Sequence, residues 1–261
     1  PGQAVIVHAA ASSPIGITSL IMTINGVRQT LDANGRATFT PTAAGHYTVV
    51  AIATDANGVQ TTATADLKVK DANAVAPTVT LNPPGLISAP VNITGTVTGS
   101  NLDAWTLTLS VLGAANTITL ATGKTATAAN ALLASVDPAA LANGAYLLTL
   151  SATDISGRTA SASQVLQIDS AAKVGAYVET ATDLTASLDG ETFTLTRSYN
   201  SLEAYESGLV GFGWIFGGID AHIASSVAPS ATTSGNALPN PFTTATRVYV
   251  DLPDGSRAGF S

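Results

Sequence analysis

Several residue types are scarce in this chain of 261 residues, and each scarcity excludes something. Cysteine is absent, which excludes disulfides and thiolate chemistry but leaves the cellular compartment open. Charged residues make up 10% of the chain, against roughly 25% in an ordinary soluble domain. The net charge of −7 and the lack of any basic run argue against nonspecific nucleic-acid binding, which needs clustered Lys and Arg.

Long apolar runs and targeting signals are missing as well. No uninterrupted apolar run approaches the ~20 residues that cross a bilayer, so membrane insertion is not expected. Residues 1–5 lack the basic start and apolar core of a signal peptide. A fragment of a longer secreted protein has these features. We therefore predict an extracellular or cell-surface bacterial location, with the signal sequence outside this chain.

Small and β-branched residues are abundant. Hydrophobic residues reach 46% of the chain while aromatic residues are 5%, and much of the total is Ala mixed with Thr, Ser and Val. Thr and Val favour pleated strands, and this apolar content argues against a disordered chain. The composition predicts an all-β fold, and the length allows two or three small domains.

An internal repeat predicts two tandem immunoglobulin-like β-sandwiches. Tyr47 follows a glycine by two positions and precedes Asp55 by eight, and Tyr146 has the same spacing to Asp154, 99 residues later. Alternating apolar residues between Tyr and Asp predict a half-buried strand that an Asp-x-x-Gly turn closes. A Tyr that opens a late strand is typical of a tyrosine corner. We therefore predict buried tyrosine rings with backbone-bonded hydroxyls, and turn-stabilising roles for both aspartates.

The boundaries of these units are predicted from short connections. The first sandwich spans 1–71, the second spans 77–169, and a third segment occupies 176–261. The connections lack long Gly/Ser tracts, which favours semi-rigid stacking of the units. The Ala-rich stretch 125–142 is compatible with one longer helix, but its threonines favour a strand and a short helix capped by Asp137.

The third segment differs from the sandwiches. Residues 191–199 and 247–252 alternate as strands, the latter with Val248, Val250 and Leu252 on one side, and the Pro-rich loop 225–246 separates them. Turn glycines are expected to let the aromatic residues between 212 and 216 pack. A lone strand pair is marginal in water. We therefore predict that 176–261 is not an independent domain and is covered by the preceding sandwich or by strands after Ser261.

Three sequence blocks connect the chain to a known family. They are TRSYNS at 196–201, GFGW at 211–214 and RVYVDLPDG at 247–255. In order and spacing they resemble the segment that opens the repeat region of Rhs/YD-repeat proteins. Residues 77–169 look like the sandwich that precedes those repeats, and 1–71 resembles a generic bacterial immunoglobulin-like domain.

The resemblance implies a structural, non-catalytic function. The last segment would be the first strands of an encapsulating β-shell, with the sandwiches as stalk or cap, and the main partner would be the rest of its own chain, including an enclosed C-terminal domain in some relatives. Arg197, Tyr199, Trp214 and Gly255 would then be structural residues. No Tyr-Asp repeat with a following Gly-Arg and no self-cleaving core occurs here, so a toxin role stays open.

Candidate chemical sites are weak, and no catalytic, cofactor-binding or metal residue is predicted. His8, His46 and His222 lie far apart in sequence, without a second ligand at metal spacing. The glycines between 211 and 218 do not follow phosphate-loop spacing. Glu203, Glu206 and Asp220 could form paired carboxylates, but a solvated loop is the simpler interpretation.

Two rival functions remain open from the sequence. An adhesin that binds glycan or protein through its loops would be favoured by an exposed aromatic platform, although Trp105 and Trp214 occupy patterned positions that indicate core. Unpaired β edges within 191–261 would instead favour the shell. An enzyme is the third alternative, and no nucleophile, base and orienting group can be assembled from the spacing.

Overall fold

A computed structural model of the protein describes residues 1–217, 219–220, 222–227 and 242–261. The described chain is all-β, as the composition predicted, and its short 3₁₀ turns are Pro138–Ala140 and Ser201–Glu203. Within the described ranges, no helix has the length and apolarity to span a bilayer.

The first sandwich is formed by the strands β1 Val5–His8, β2 Ile17–Ile24, β3 Val27–Gln29, β4 Arg36–Phe39, β5 Gly45–Asp55 and β6 Gln60–Val69. β1 pairs with β4, and the second sheet has the antiparallel order β3-β2-β5-β6. Asn25 and Gly26 both have positive φ, as a two-residue type I′ hairpin between β2 and β3 requires. The buried core is small and consists of Met22, Ile24, Ala37 and Val49.

The second sandwich is formed by β7 Thr78–Asn82, β8 Leu86–Ile87, β9 Val91–Thr98, β10 Leu102–Val111, β11 Thr117–Gly123, β12 Ala131–Val136, β13 Gly144–Asp154 and β14 Thr159–Ile168. Its sheets have the orders β11-β10-β13-β14-β8 and β12-β9-β7. Alternating leucines of β10 and β13 point into one face and are fully buried, within a core of 15 buried residues. This core is by far the largest of the described chain.

The Ala-rich stretch 125–142 forms a strand and a 3₁₀ turn, as predicted, and not a longer helix. β12 occupies its middle, and the Asp137 carboxylate accepts the backbone N–H of Ala139 at 2.9 Å at the start of the 3₁₀ turn. Trp105 is buried as predicted, and its indole N–H donates to the carbonyl of Thr125.

The third segment contains the strands β15 Val178–Leu188, β16 Glu191–Asn200, β17 Ser207–Gly208, β18 Gly211–Phe212, β19 Trp214–Phe216, β20 Ile223–Ser225, β21 Val248–Asp251 and β22 Arg257–Phe260. They form the sheets β15-β16-β19, β17-β18 and β20-β21-β22. The strands predicted at 191–199 and 247–252 are confirmed. Most of the predicted 225–246 loop, residues 228–241, lies outside the described residues. Every sheet takes its strands from one of the three predicted ranges, while the exact boundaries stay a prediction.

The buried side of β21 is formed by Tyr249 and Asp251 and not by its valines. Val248 and Val250 are half-buried, whereas Tyr249 and Asp251 are buried. Tyr249 turns toward the second sandwich, where its hydroxyl donates to the Gln167 side chain at 3.1 Å. Asp251 faces Arg257 on β22. The polar partners of Tyr249 and Asp251 therefore decide which face of this strand is buried, although its valines are the more apolar residues.

Candidate functional site

The two repeated tyrosines form the predicted tyrosine corners. The Tyr47 hydroxyl donates to the carbonyl of Ala43 at 3.0 Å, and the Tyr146 hydroxyl donates to the carbonyl of Ala142 at 2.9 Å. Each opens an 11-residue strand at the same position. The ring of Tyr146 is buried as predicted, but Tyr47 is only half-buried, because the small first core covers it mainly with Phe39.

The two repeated aspartates close equivalent turns. Asp55 accepts the backbone N–H groups of Asn57 and Val59, and Asp154 accepts those of Ser156 and Arg158, all within 3.0 Å. Asp154 alone is also bonded by a guanidinium, at 2.7 Å from Arg158. Burial alone would raise the pKa of Asp154, but the bonds from Arg158 and the turn outweigh burial and lower it.

Asp154 also stabilises the connection between the sandwiches. Arg158, held by Asp154, donates to the carbonyl of Asp71 at 2.9 Å. On the other side of this connection, His46 contacts Asp66 at 2.8 Å and the carbonyl of Leu102 at 3.2 Å. These contacts restrict how the first sandwich can move on the second.

Replacing Asp154 by Ala is expected to lower the stability of the second sandwich by about 2–4 kcal/mol, because Arg158 and two backbone donors lose their acceptor. Asp55→Ala is the matched control and should cost about 1 kcal/mol, since only the exposed turn changes. Hydrogen exchange measured by mass spectrometry reports the stability of each sandwich separately. Equal losses of stability in the two variants would contradict the role assigned to Arg158.

The residues that carry the family resemblance lie together in the third segment. Tyr199 lies beside Trp214 at 5.3 Å between ring centroids, and the guanidinium of Arg197 covers the Trp214 ring at 5.1 Å. Gly213, with φ 72°, lies against the Tyr199 ring so closely that a Cβ would be 2.7 Å from a ring carbon. This close approach explains why a glycine precedes Trp214. Trp214 is half-buried and stacks against its neighbours, and it does not lie in a closed core.

The opposite face of β16 binds the turn that contains Gly255. Ser198 donates to the carbonyl of Pro253 at 2.8 Å, and Asn200 donates to the carbonyl of Gly255 at 2.9 Å. Gly255 has φ 81°, and a Cβ there would lie 3.1 Å from Val178 and 3.2 Å from Ser198. The first and last resemblance blocks are thus joined face to face by side-chain bonds.

The outer face of the hairpin β15–β16 is apolar and exposed. Beyond the bulge at 183, pairing of Leu184 with Leu195 and of Leu188 with Glu191 places Leu184, Leu188 and Phe193 on one side. These three side chains are 58%, 70% and 60% exposed. Phe212 is exposed too, so the prediction that it packs with its aromatic neighbours is wrong. Exposed apolar patches of this kind mark surfaces that bind something.

Polar contacts seat the third segment on the second sandwich. Asn143 donates to the carbonyls of Ser170 and Arg257, at 3.3 and 3.0 Å, and accepts the backbone N–H of Ser170. Arg247 pairs with Asp169, and the Lys173 ammonium donates to the carbonyls of Pro138 and Leu141. Burial lowers the pKa of Lys173 to about 8.

A buried charge cluster lies behind these contacts. Arg257 approaches Asp251 at 3.2 Å and Glu203 at 3.5 Å, and all three side chains are less than a tenth exposed. His222 lies between Asp251, at 3.3 Å, and Asp220, at 3.4 Å. The interpretation of Glu203 as part of a solvated loop is therefore wrong, because the 3₁₀ turn that Asn200 caps directs it inward toward Arg257.

The electrostatics of this cluster favour protonated carboxyl groups. Burial raises the pKa of Glu203 to about 7, with a further increase from Asp251, while Arg257 opposes the rise. Burial likewise raises the pKa of Asp251 against the effect of Arg257. Among the described residues, neither Asp251 oxygen nor Glu203 Oε1 has an aligned hydrogen bond. Sequence reasoning missed this cluster. An Asp at an inward strand position, in a chain with so few charges, was the signal that could have revealed it.

The described residues contain no group of three His, Asp or Glu side chains placed to hold a metal ion. His8 lies on β1, His46 at the connection of the sandwiches and His222 in the buried cluster, so each histidine belongs to a different part of the described structure. Gly211 is the first residue of β18 and Gly213 forms the turn that follows, while Gly218 lies outside the described residues.

No protein-family model matches the sequence, and no curated protein matches it significantly. Solved structures with some similarity include the fibronectin(III)-like modules of Clostridium thermocellum CbhA, at 19% identity and a TM-score of 0.32, covering 65% of this chain and 87% of that one. A tetra-tandem repeat in the extending region of a large adhesion protein has 16% identity and a TM-score of 0.34, covering 95% and 66%. Similarity at these values does not assign a function.

Proposed function

We propose that the chain is a structural region of a large secreted or surface Rhs/YD-repeat protein. In this proposal the two sandwiches are the stalk or cap, and 176–261 supplies the first strands of an encapsulating β-shell. The partner is the rest of the same polypeptide, including any C-terminal domain that the shell encloses. The alternative is an adhesin whose third segment is a self-contained binding domain.

The observation that carries the proposal is the incomplete core of the third segment. Among the described residues, 11 of the 22 exposed large apolar side chains lie between 176 and 261. In the same range only Ile215 and Tyr249 belong to the buried hydrophobic residues, against 15 in the core of the second sandwich. Such a segment needs cover, which further strands of the same chain would provide.

The free edges of the hairpin support the same proposal. In the described structure β15 pairs only with β16, and β16 pairs with β19 only over residues 197–199. Long unpaired edges are templates for another strand. A strand added here would take up the free backbone groups of β15, and a layer packed on the outer face would cover Leu184, Leu188 and Phe193.

The test compares the 261-residue chain with a chain extended by the next strands of its own gene. Extension is expected to slow amide exchange along β15 by at least about tenfold, because free N–H groups gain partners. Leu188→Asp, on the apolar face, should abolish this protection, whereas Ser187→Asp, on the opposite face, should preserve it. The adhesin would be favoured if the 261-residue chain stays monomeric and the extended chain shows no additional protection along β15.

A further inference from the structure

The charge cluster behind the third segment is unbalanced. Two buried carboxylates, Glu203 and Asp251, face one buried guanidinium, Arg257, in the part of the chain that the structure describes. Removing a charge from water is expensive, and each buried carboxylate needs a partner of its own to offset that loss. With both carboxylates ionised, one negative charge is left without a buried cation.

Every element packed around the pair contributes titratable groups. Glu206 and Tyr205 follow Glu203 in the chain, and Tyr146 faces them from β13 of the second sandwich. On the other side, His222 and Asp220 approach Asp251 from the segment before β20. Apart from Arg257 and a protonated His222, these neighbours are acidic or neutral. Lys173 lines the same cleft as Glu203, but its ammonium donates to the carbonyls of Pro138 and Leu141. The second carboxylate is therefore bonded to no permanent positive charge among these groups.

The cluster connects the two units through its backbone and side chains. Arg257, which faces both carboxylates, offers its own carbonyl to Asn143 of the second sandwich at 3.0 Å. A cleft of about 230 Å³ between the units is lined by Asn143, Glu203 and Arg257, among other residues. A change of charge at Glu203 therefore acts at the seam where the third segment rests on the second sandwich.

We propose that the Glu203–Asp251–Arg257 cluster is a proton-controlled latch, which holds the third segment on the second sandwich more firmly as the medium is acidified below neutral. Proton uptake neutralises the excess carboxylate and leaves one balanced ion pair with Arg257. In alkaline medium both carboxylates are charged, and their repulsion loosens the seam. The device uses only residues within this chain and is independent of the proposed shell.

The direction of the effect is given by linkage. Glu203 has a pKa of about 7 in the folded chain against 4.5 in the unfolded chain, so between these values the folded state holds the extra proton. Stability from this group is complete below about pH 4.5, falls as the pH rises, and is lost above about pH 7. Asp32, Asp154 and Asp254, whose pKa values are lowered, lose their contributions only in more acidic solution. A comparison of about pH 5.5 with about pH 7.5 therefore spans the titration of Glu203 while these three carboxylates stay ionised, and the Glu203→Gln variant separates the contribution of Glu203 from that of other groups.

The two tryptophans of the chain permit a local measurement. Trp105 lies in the second sandwich and Trp214 in the third segment, so fluorotryptophan labelling gives one fluorine NMR signal for each unit. The urea midpoint of the Trp214 signal is expected to rise on acidification from about pH 7.5 to about pH 5.5, corresponding to a roughly tenfold to hundredfold change in the unfolding equilibrium. The Trp105 midpoint should move much less.

Glu203→Gln, which mimics the neutral acid, should give a high Trp214 midpoint at both pH values and remove the dependence. Glu191→Gln, an exposed carboxylate on β16, is the matched control and should retain it. The proposal is overturned if the Trp214 midpoint falls or stays constant on acidification in the unmodified chain. It is equally overturned if E203Q keeps the full pH dependence.

Discussion

Replacing Tyr146 by Ala is expected to lower the free energy of unfolding of the second sandwich by about 3–5 kcal/mol. The ring is 3% exposed and lies in the main core, so truncation leaves a cavity as well as an unpaired carbonyl at Ala142. Hydrogen exchange measured by mass spectrometry along β13 reports the loss, because local opening of each unit is read separately.

The internal repeat supplies the control for this experiment. Tyr47→Ala should lower the stability of the first sandwich by about half as much. Its ring is only half-buried, so folding removes less of its apolar surface from water. Tyr146→Phe, which keeps the ring and removes the hydroxyl, should cost only about 1 kcal/mol. A Tyr146→Ala loss no larger than that of Tyr47→Ala would show that the two corners do not differ as their burial indicates.

Arg257→Met is expected to destabilise the third segment by about 3–5 kcal/mol near pH 7.5, because Glu203 and Asp251 then remain buried and charged without their cation. The loss should shrink near pH 5.5, since the carboxyl group of Glu203 takes up a proton below its pKa of about 7. The Trp214 fluorine signal, followed against urea at both pH values, measures both numbers.

Arg28→Met provides the control for the loss of a positive charge, because Arg28 is exposed on β3 of the first sandwich. It should change the Trp214 midpoint by less than about 0.5 kcal/mol at either pH. An Arg257→Met loss that is equally large in acid would mean that the guanidinium acts by packing and by its backbone bond to Asn143, not by balancing charge.

The sandwiches could be predicted from the sequence because their determinants are local. The alternation after Tyr146 and the Asp-x-x-Gly turns depend on residues a few positions apart and appear as predicted, whereas on the Tyr47 side of β5 only Val49 is buried. The internal repeat then indicated that the segments around Tyr47 and Tyr146 have the same fold. What it could not indicate was the different depth of the two cores, which depends on how many leucines face each other across the sheets.

The third segment was less predictable because its partners are distant in sequence. Glu203 meets Arg257 and Tyr249 meets Gln167 across long separations, and neither pairing can be deduced from local spacing. The alternation of β21 likewise did not indicate that Tyr249 and Asp251 form its buried face. The aromatic residues around Trp214 were expected to pack, but their contact with β16 was not predicted, and the glycine that permits it is explained only by its distance to the Tyr199 ring.

The unequal cores have a mechanical consequence for a chain pulled from its ends. The first sandwich has four residues in its buried cluster, whereas the second has 15. Under tension the weaker unit yields first, and its residues extend to about 3.3–3.6 Å each as it unravels. Of the two sandwiches, the first would therefore extend under load before the second, whose larger core resists unravelling.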